Sequence, residues 1–100
     1  EHRQLFIGGD HGLALGTLNG ILERNPDTLV IWLDAHADLN TPTTSTTGNF
    51  HGMPLSFLLP FRKETEGFAW VTARLDPRNL LLLGPRDIDP PEETFIRDFG

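Results

Sequence analysis

The sequence predicts an α/β fold in which helices pack on a parallel sheet, because strand and helix patterns alternate along the chain. Two short runs of apolar residues, 29–33 and 80–83, have the length of strands, and the first has the composition of a buried strand. A helical pattern precedes the first run, and a helix-start signal follows the second. One hundred residues limit the chain to a single domain.

The first third of the chain predicts a strand, a helix and a second strand. Residues 4–7 form a short apolar stretch that predicts a strand ended by Gly8-Gly9. A helix is predicted from about residue 11 to residue 24, where leucines recur at helical spacing at positions 15, 18 and 22. The sequence Asn25-Pro26-Asp27 stops this helix, and residues 29–33 predict the second strand.

The middle of the chain is predicted to be mostly irregular. Residues 34–51 form a long polar loop rich in threonine, and loops of this length without their own secondary structure are usually functional or disordered. A short apolar helix is predicted at residues 53–59. Residues 60–75 have no clear period and are expected to be irregular.

The last quarter of the chain predicts a strand followed by a helix. Residues 80–83 are four consecutive leucines, ended by Gly84. The sequence Asp89-Pro90-Pro91-Glu92 then predicts a helix start, with Asp89 as the N-cap and proline at the first helical position. Asp89 and Glu92 have the spacing of a capping box, a purely structural role that is compatible with binding a ligand.

Composition and charge argue against several classes of protein. The formal net charge is −6 and no basic stripe is present, so we expect no nucleic-acid partner. The apolar runs are far shorter than the roughly 20 residues of a membrane span, so we expect no membrane partner. The chain has no cysteine, which excludes disulfides and thiolate metal sites. It begins without Met and stops where another strand is expected, so we interpret it as an internal piece of a larger domain.

The sequence Asp34-Ala35-His36-Ala37-Asp38 follows directly on the second predicted strand. Open parallel sheets bind ligands at the carboxyl ends of their strands. In an extended segment, side chains two residues apart point the same way, so Asp34, His36 and Asp38 are expected to share a face. Two carboxylates and an imidazole suit a hard or borderline divalent metal such as manganese.

A fourth candidate ligand, His11, ends the sequence Gly8-Gly9-Asp10-His11 after the first predicted strand. If the two strands are neighbours, His11 converges with Asp34, His36 and Asp38. Four such ligands could hold one metal or form half of a two-metal site in which a carboxylate bridges the ions, with Asp34 as the bridging candidate. Alternatively, His11 is a helix-start residue bonded to backbone.

These motifs, in order and at matching spacing, resemble the ureohydrolase superfamily. The further sequences Asn40-Thr41-Pro42 and Gly48-Asn49-Phe50-His51-Gly52 resemble arginases in particular. The resemblance runs from about residue 5 to residue 98. It implies a three-layer α/β/α parallel sheet of the arginase/deacetylase type, only part of which is present, and it makes residues 1–100 the central part of a single catalytic domain.

The resemblance also implies an activity. Arginases use two manganese ions per active site to activate water, which attacks the guanidinium carbon of L-arginine to give L-ornithine and urea. They are homo-oligomers, so a homotrimer is expected. The compartment implied is the cytoplasm, with the mitochondrion as the alternative.

The resemblance assigns roles to individual residues. His51 matches the catalytic histidine that transfers a proton, and a histidine suits that task near neutral pH. The metal ligands implied are His11, Asp34, His36 and Asp38, with Asp34 bridging. The residues implied to bind the amino-acid end of the substrate are Asn40, Ser45, Thr47, Asn49, Asp89 and Glu92. Their hydroxyl, amide and carboxylate groups suit a zwitterion. Trp32 is expected to be a packing residue.

The set of metal ligands is incomplete in these 100 residues, and two alternatives to an arginase stay open at this point. The family has two further carboxylate ligands in a later Asp-x-Asp-x-x-Asp-Pro motif and a downstream glutamate, and the 100 residues do not include them. We therefore expect residues 1–100 alone to bind manganese weakly and to have no useful turnover. The protein could instead be an agmatinase or another guanidino hydrolase, although agmatine has no carboxylate for the polar loop to bind. It could also be a truncated, inactive interaction module.

Overall fold

The computed structural model describes residues 2–60 and 67–99, and this part of the chain has an α/β architecture. The helices and strands in chain order are α1 (Leu13–Arg24), β1 (Val30–Leu33), β2 (Leu80–Leu83) and α2 (Pro90–Phe99). Short 3-10 turns occupy Phe50–Gly52 and Pro77–Asn79. In the described residues no helix is both long and apolar enough to cross a membrane. The prediction of helices on a parallel sheet is confirmed.

Strands β1 and β2 pair in parallel, and the first and last residues of one strand are the partners of the first and last residues of the other. Val30 lies opposite Leu80, and Leu33 lies opposite Leu83. The backbone N–H of Asp34 extends the pairing by donating to the carbonyl of Leu83 at 3.1 Å. Because parallel strands that pair in this way end at the same level, the segments that follow them leave the sheet side by side.

The two faces of the sheet differ in exposure. Val30 and Trp32 of β1 are buried, whereas Ile31 and Leu33, which point the other way, are exposed. The strand β2 alternates in the same manner, with Leu80 and Leu82 packed against the core. In the described residues the core therefore lies on one face of the sheet.

The core collects side chains from α1, β1 and two irregular stretches. We call residues 34–52 the site loop, and residues 53–59 with residues 71–75 the apolar segment. Helix α1 contributes Leu15 and Leu22 to the core. The buried side chains of the apolar segment are Met53, Leu55, Phe57, Leu58, Leu59, Val71, Ala73 and Leu75. Ile96 of α2 packs against the same core.

Asn19 of α1 is a buried polar residue in this apolar setting. Its side-chain Oδ1 accepts hydrogen bonds from the backbone N–H groups of Thr72 and Ala73 at 3.1 and 3.0 Å. Its Nδ2 donates to the carbonyl of Trp70 at 3.5 Å. The amide therefore satisfies backbone groups of a stretch that lies outside the helices and strands of the described residues.

The predicted strand at residues 4–7 is wrong for this structure, because residues 2–8 are irregular. Leu5 and Ile7 are 84% and 87% exposed. A strand needs a neighbour for its ladder of hydrogen bonds, and within residues 2–60 and 67–99 the ladder joins β1 and β2. His11 consequently reaches the site from the turn that opens α1, not from the end of a strand.

The predicted apolar helix at residues 53–59 is also wrong, since these residues form a series of turns. The backbone N–H of Leu55 donates to the carbonyl of Asp38 at 3.2 Å, and Pro54 has no N–H to donate. The N–H groups of Ser56 and Leu58 donate to the carbonyls of Met53 and Leu55 at 3.0 and 3.1 Å, which are bonds of successive turns and not of an α-helix. The irregular stretch predicted at residues 60–75 is irregular where it is described, and residues 61–66 lie outside the described residues.

Candidate active site

Three of the predicted metal ligands lie together at the carboxyl end of β1. The Nδ1 atom of His11 is 3.4 Å from Oδ2 of Asp34 and 3.3 Å from Oδ2 of Asp38. One ligand atom from each of these residues lies within 4.8 Å of the other two. The structure thus brings His11 to the strand end, as the sequence predicted, although by a different element.

Burial and charge act differently on the two carboxylates of this cluster. Burial raises the pKa of Asp34, but a hydrogen bond from the backbone N–H of His36 and the nearby His11 ring outweigh it and hold the pKa below its ordinary value. Burial also raises the pKa of Asp38, whose side chain is 6% exposed, and the Asp34 charge adds to this effect. A cation in the cluster would favour the ionised form of Asp38.

His36 lines the same cavity as Asp38 but lies outside the cluster of His11, Asp34 and Asp38, and the extended conformation expected for residues 34–38 is wrong. The chain bends at residues 35 and 36 instead of staying extended. The Nδ1 atom of His36 lies 3.4 Å from Oδ1 of Asp34, the oxygen that does not face His11. Asp34 therefore presents one carboxylate oxygen to each histidine, which is the arrangement that a bridging ligand requires.

Asp87 is a neighbour of the site that sequence reasoning did not assign to it. Its Oδ2 atom lies 3.3 Å from Nε2 of His36. The backbone N–H groups of Arg86 and Asp87 both donate to the carbonyl of Ala35, at 2.9 and 3.0 Å. The segment after β2 is thereby fastened to the segment after β1. The signal in the sequence that could have found Asp87 is its place shortly after the second predicted strand, as Asp34 follows the first.

The start of α2 holds the site loop in place. Glu92 is buried, and its Oε1 accepts from the backbone N–H of Leu39 at 2.9 Å while its Oε2 accepts from that of Asp89 at 3.0 Å. The second bond is half of the predicted capping box. The Asp89 carboxylate accepts from Nδ2 of Asn40 at 2.8 Å. One helix end thus contacts the site loop at two neighbouring positions.

The hydroxyl-rich part of the site loop is shaped by short local hydrogen bonds. Ser45 Oγ accepts from the backbone N–H of Gly48 at 3.0 Å, and Thr47 Oγ1 accepts from that of Asn49 at 3.2 Å. These are turn-forming bonds, the structural role that hydroxyl side chains commonly have. The two hydroxyls also lie 3.4 Å apart, so they present a small polar surface.

His51 lies in the 3-10 turn Phe50–Gly52, beyond this hydroxyl surface. Its Nδ1 atom is 3.9 Å from Oδ2 of Asp10, which is longer than a hydrogen bond. The imidazole is exposed to solvent on the wall of the site, where an ionisable group can exchange protons with a ligand or with water.

These residues surround one cavity of about 310 Å³. Residues from the metal cluster, the site loop and the start of α2 all line it: His11, His36, Asp38, Asn40, Ser45, Thr46, Thr47, Asn49, His51, Gly52, Asp87, Asp89 and Glu92. Asp34 lies behind His11 and His36, in contact with both. The cavity is thus lined by imidazole and carboxylate groups together with hydroxyl and amide groups.

The cluster fits a divalent cation of the manganese type. An imidazole nitrogen and two carboxylate oxygens form a borderline-to-hard donor set. Asp38 is a buried carboxylate with a second carboxylate nearby, and a buried negative charge of this kind is stabilised by a cation. The residues that would hold such ions are His11, Asp34 and Asp38 on one side and Asp34 and His36 on the other.

Comparison with known proteins shows the family of the chain. The model of the arginase family matches residues 1–100. The chain is 46% identical over 100 residues to arginase-1 of Sus scrofa, covering 96% of this chain and 31% of that protein. It is 46% identical over 97 residues to the mitochondrial arginase-2 of Rattus norvegicus, covering 93% of this chain and 27% of that protein.

A solved structure shows the same fold. The arginase of Entamoeba histolytica in complex with L-ornithine superposes with a TM-score of 0.79 at 36% identity, covering 91% of this chain and 32% of that one. The chain belongs to the arginase family, and its α/β architecture is of the arginase type. It spans about a third of the length of the relatives that it matches.

Proposed function

We propose that the intact protein is a manganese-dependent arginase that hydrolyses L-arginine to L-ornithine and urea. The main support is that one cavity is lined both by candidate metal-binding groups and by groups suited to an amino acid. Membership of the arginase family and the likeness to an arginase solved with L-ornithine, the product of this reaction, add to it.

Two manganese ions are proposed for each active site of the intact protein, and His11, Asp34, His36 and Asp38 are the ligands that this chain supplies. Asp34 would help to hold both ions, because each of its oxygens faces a different histidine. When bound, the ions polarise water and so provide a nucleophile near neutral pH.

The other residues bind the substrate and move a proton. Asn40, Ser45, Thr47 and Asn49 offer hydroxyl and amide groups to the α-carboxylate end of arginine, while the carboxylates of Asp89 and Glu92 attract its α-ammonium group. His51 is the catalytic residue that gives a proton to the departing nitrogen, since an imidazole can accept and release protons near neutral pH.

The test compares substrates in the intact protein supplied with Mn²⁺. We expect urea release from L-arginine and much slower hydrolysis of agmatine, which lacks the α-carboxylate. The variant His51→Asn should lose about 10²- to 10⁴-fold in kcat, the usual contribution of a positioned acid. Faster hydrolysis of agmatine would favour the agmatinase alternative. A protein that binds Mn²⁺ but hydrolyses neither compound would favour a role as an interaction module.

The state of assembly and the compartment are part of the same proposal. We propose a homotrimer in the cytoplasm, with the mitochondrion as the alternative because the similar rat protein is named as mitochondrial. Light scattering of the intact protein and imaging of a tagged copy test these points. Residues 1–100 alone are expected to bind manganese weakly and to release no measurable urea, and robust urea release by them would contradict this expectation.

A further inference from the structure

Trp32 contacts two candidate metal ligands, Asp38 and His11, in addition to packing in the core. It lies on β1 and is buried, with its indole N–H donating to Oδ2 of Asp38 at 3.1 Å. A buried indole N–H requires an acceptor, and here the acceptor is a candidate metal ligand. A phenylalanine at this position would fill similar space but would leave that carboxylate oxygen without the donor.

The backbone of Asp38 is also fixed by its surroundings. It has a φ of 56°, in the left-handed region, which is uncommon for residues with a side chain although aspartate adopts it more often than most. The N–H of Leu55 bonds to its carbonyl at 3.2 Å and fixes the backbone. The Trp32 indole fixes the carboxylate.

The same indole also contacts His11. The two rings are stacked, with centroids 4.9 Å apart and planes inclined by 20°. This stacking sets the plane of the imidazole so that Nδ1 lies 3.3 Å from the Asp38 oxygen that the indole bonds. Trp32 thus touches two candidate ligands that come from separate segments, the turn before α1 and the site loop.

We propose that Trp32 is a positioning residue for the metal centre, which orients Asp38 by a hydrogen bond and His11 by stacking before any metal binds. The proposal rests on the manganese site proposed above. Groups that orient metal ligands in this way commonly contribute a factor of 10 to 100 in metal affinity. Trp32 does not line the substrate cavity, so its effect should fall on the metal and not on arginine.

The test measures Mn²⁺ binding by the intact protein, with free Mn²⁺ followed by electron paramagnetic resonance. Trp32→Phe should weaken Mn²⁺ binding about 10- to 100-fold while leaving KM for arginine at saturating Mn²⁺ unchanged. Trp70→Phe is the matched control, because Trp70 is about half exposed and outside the site, and it should bind Mn²⁺ like the wild type. Unchanged Mn²⁺ affinity in Trp32→Phe would overturn the proposal.

A second replacement separates the hydrogen bond from packing. Benzothienylalanine incorporated at position 32 keeps the shape of the double ring and its stacking on His11 but has sulfur in place of the N–H. Weaker Mn²⁺ binding with an unchanged melting temperature supports the proposal even if Trp32→Phe does not fold, and wild-type affinity overturns the hydrogen-bonding role. If the wild type itself does not bind Mn²⁺, the proposed function fails instead.

Discussion

The site loop and the apolar segment are both irregular, but different interactions hold them in place. Ala37 and Leu39 of the site loop lie in the core. The loop is otherwise fixed by individual hydrogen bonds to other parts of the chain, among them those from the Leu39 N–H to Glu92 and from Asn40 to Asp89. The apolar segment is fixed by many buried side chains that share one core. The position of the site loop depends mainly on particular hydrogen-bond donors and acceptors. The position of the apolar segment depends mainly on the volume and the area of its buried side chains.

Because the two stretches are held differently, substitutions in them should have different effects on the stability of the protein and on ligand binding. Loss of a core side chain leaves a void and lowers the free energy of unfolding, but the remaining contacts keep the segment where it is. Loss of one acceptor in the site loop changes less buried area but releases the groups that face the cavity. Substitutions in the apolar segment should therefore alter stability first, and those around the site loop should alter binding first.

The largest effect on stability is expected from Leu58→Ala in the apolar segment. Leu58 is fully buried, and truncation of such a leucine lowers the free energy of unfolding by about 2–5 kcal/mol. Urea denaturation of the intact protein measures this loss. Leu58→Met, which nearly conserves the volume, is the matched control and should cost less than about 1.5 kcal/mol. A change in Mn²⁺ affinity in the folded Leu58→Ala variant would contradict the expectation that the apolar segment affects stability and not binding.

Asn19→Ala tests whether the apolar segment also has one essential polar contact. The substitution leaves the N–H groups of Thr72 and Ala73 without their acceptor, and an unsatisfied buried donor costs about 1–3 kcal/mol. We expect a loss of about 2 kcal/mol or more in the same denaturation experiment. Asn25→Ala, at the exposed end of α1, should change stability little. Equal effects of the two substitutions would show that the Asn19 contacts add nothing.

Glu92→Gln examines the contact between α2 and the site loop. A glutamine has one acceptor oxygen, so it cannot accept from both Leu39 and Asp89 as the carboxylate does. We expect a loss of about 1–2 kcal/mol in stability together with a clear rise in KM for arginine. Glu93→Gln, in the same turn but exposed, is the control. Should KM stay at its wild-type value, Glu92 would have a capping role alone.

The smallest effect on stability is expected from the exposed ion pair of Asp76 and Arg78, which lies outside both the site loop and the apolar segment. Hydrogen bonds from the Arg78 side chain and backbone lower the pKa of Asp76 to about 2. Because the pKa is lower in the folded state, the pair stabilises the protein above about pH 4, and this contribution is lost as the pH falls towards about 2. Asp76→Asn should remove a small part of the acid dependence of the melting temperature. The effect should shrink in high salt, since exposed pairs are screened, and Asp27→Asn should show no such change.

The elements that are encoded locally were predictable from the sequence. Helix α1 has its own apolar period and stop signal, and β1 and β2 are compact apolar runs. The start of α2 follows from proline and acidic residues at fixed positions. The strand predicted at residues 4–7 failed because a strand depends on a neighbour, which no local pattern supplies.

The site was predictable in its members but not in its geometry. The motifs identified most of the residues that line the cavity but not Asp87. The bend at residues 35 and 36 and the left-handed backbone of Asp38 came only from the structure. Trp32 was expected to be a packing residue because an indole in an apolar run is usually packed. Its contacts with His11 and Asp38 join positions that the sequence does not relate to each other.

The pairing of Val30 with Leu80 also bears on the order in which the site forms as the chain folds. The ladder joins residues fifty positions apart, and closing so long a loop is slow because its entropy is lost before contacts compensate. His11, Asp34 and Asp38 all precede that closure in sequence, whereas Asp89 and Glu92 follow β2. We therefore expect His11, Asp34, Asp38 and the hydroxyl-rich site loop to come together without β2, and Asp89 and Glu92 to join the cavity only after the ladder has closed.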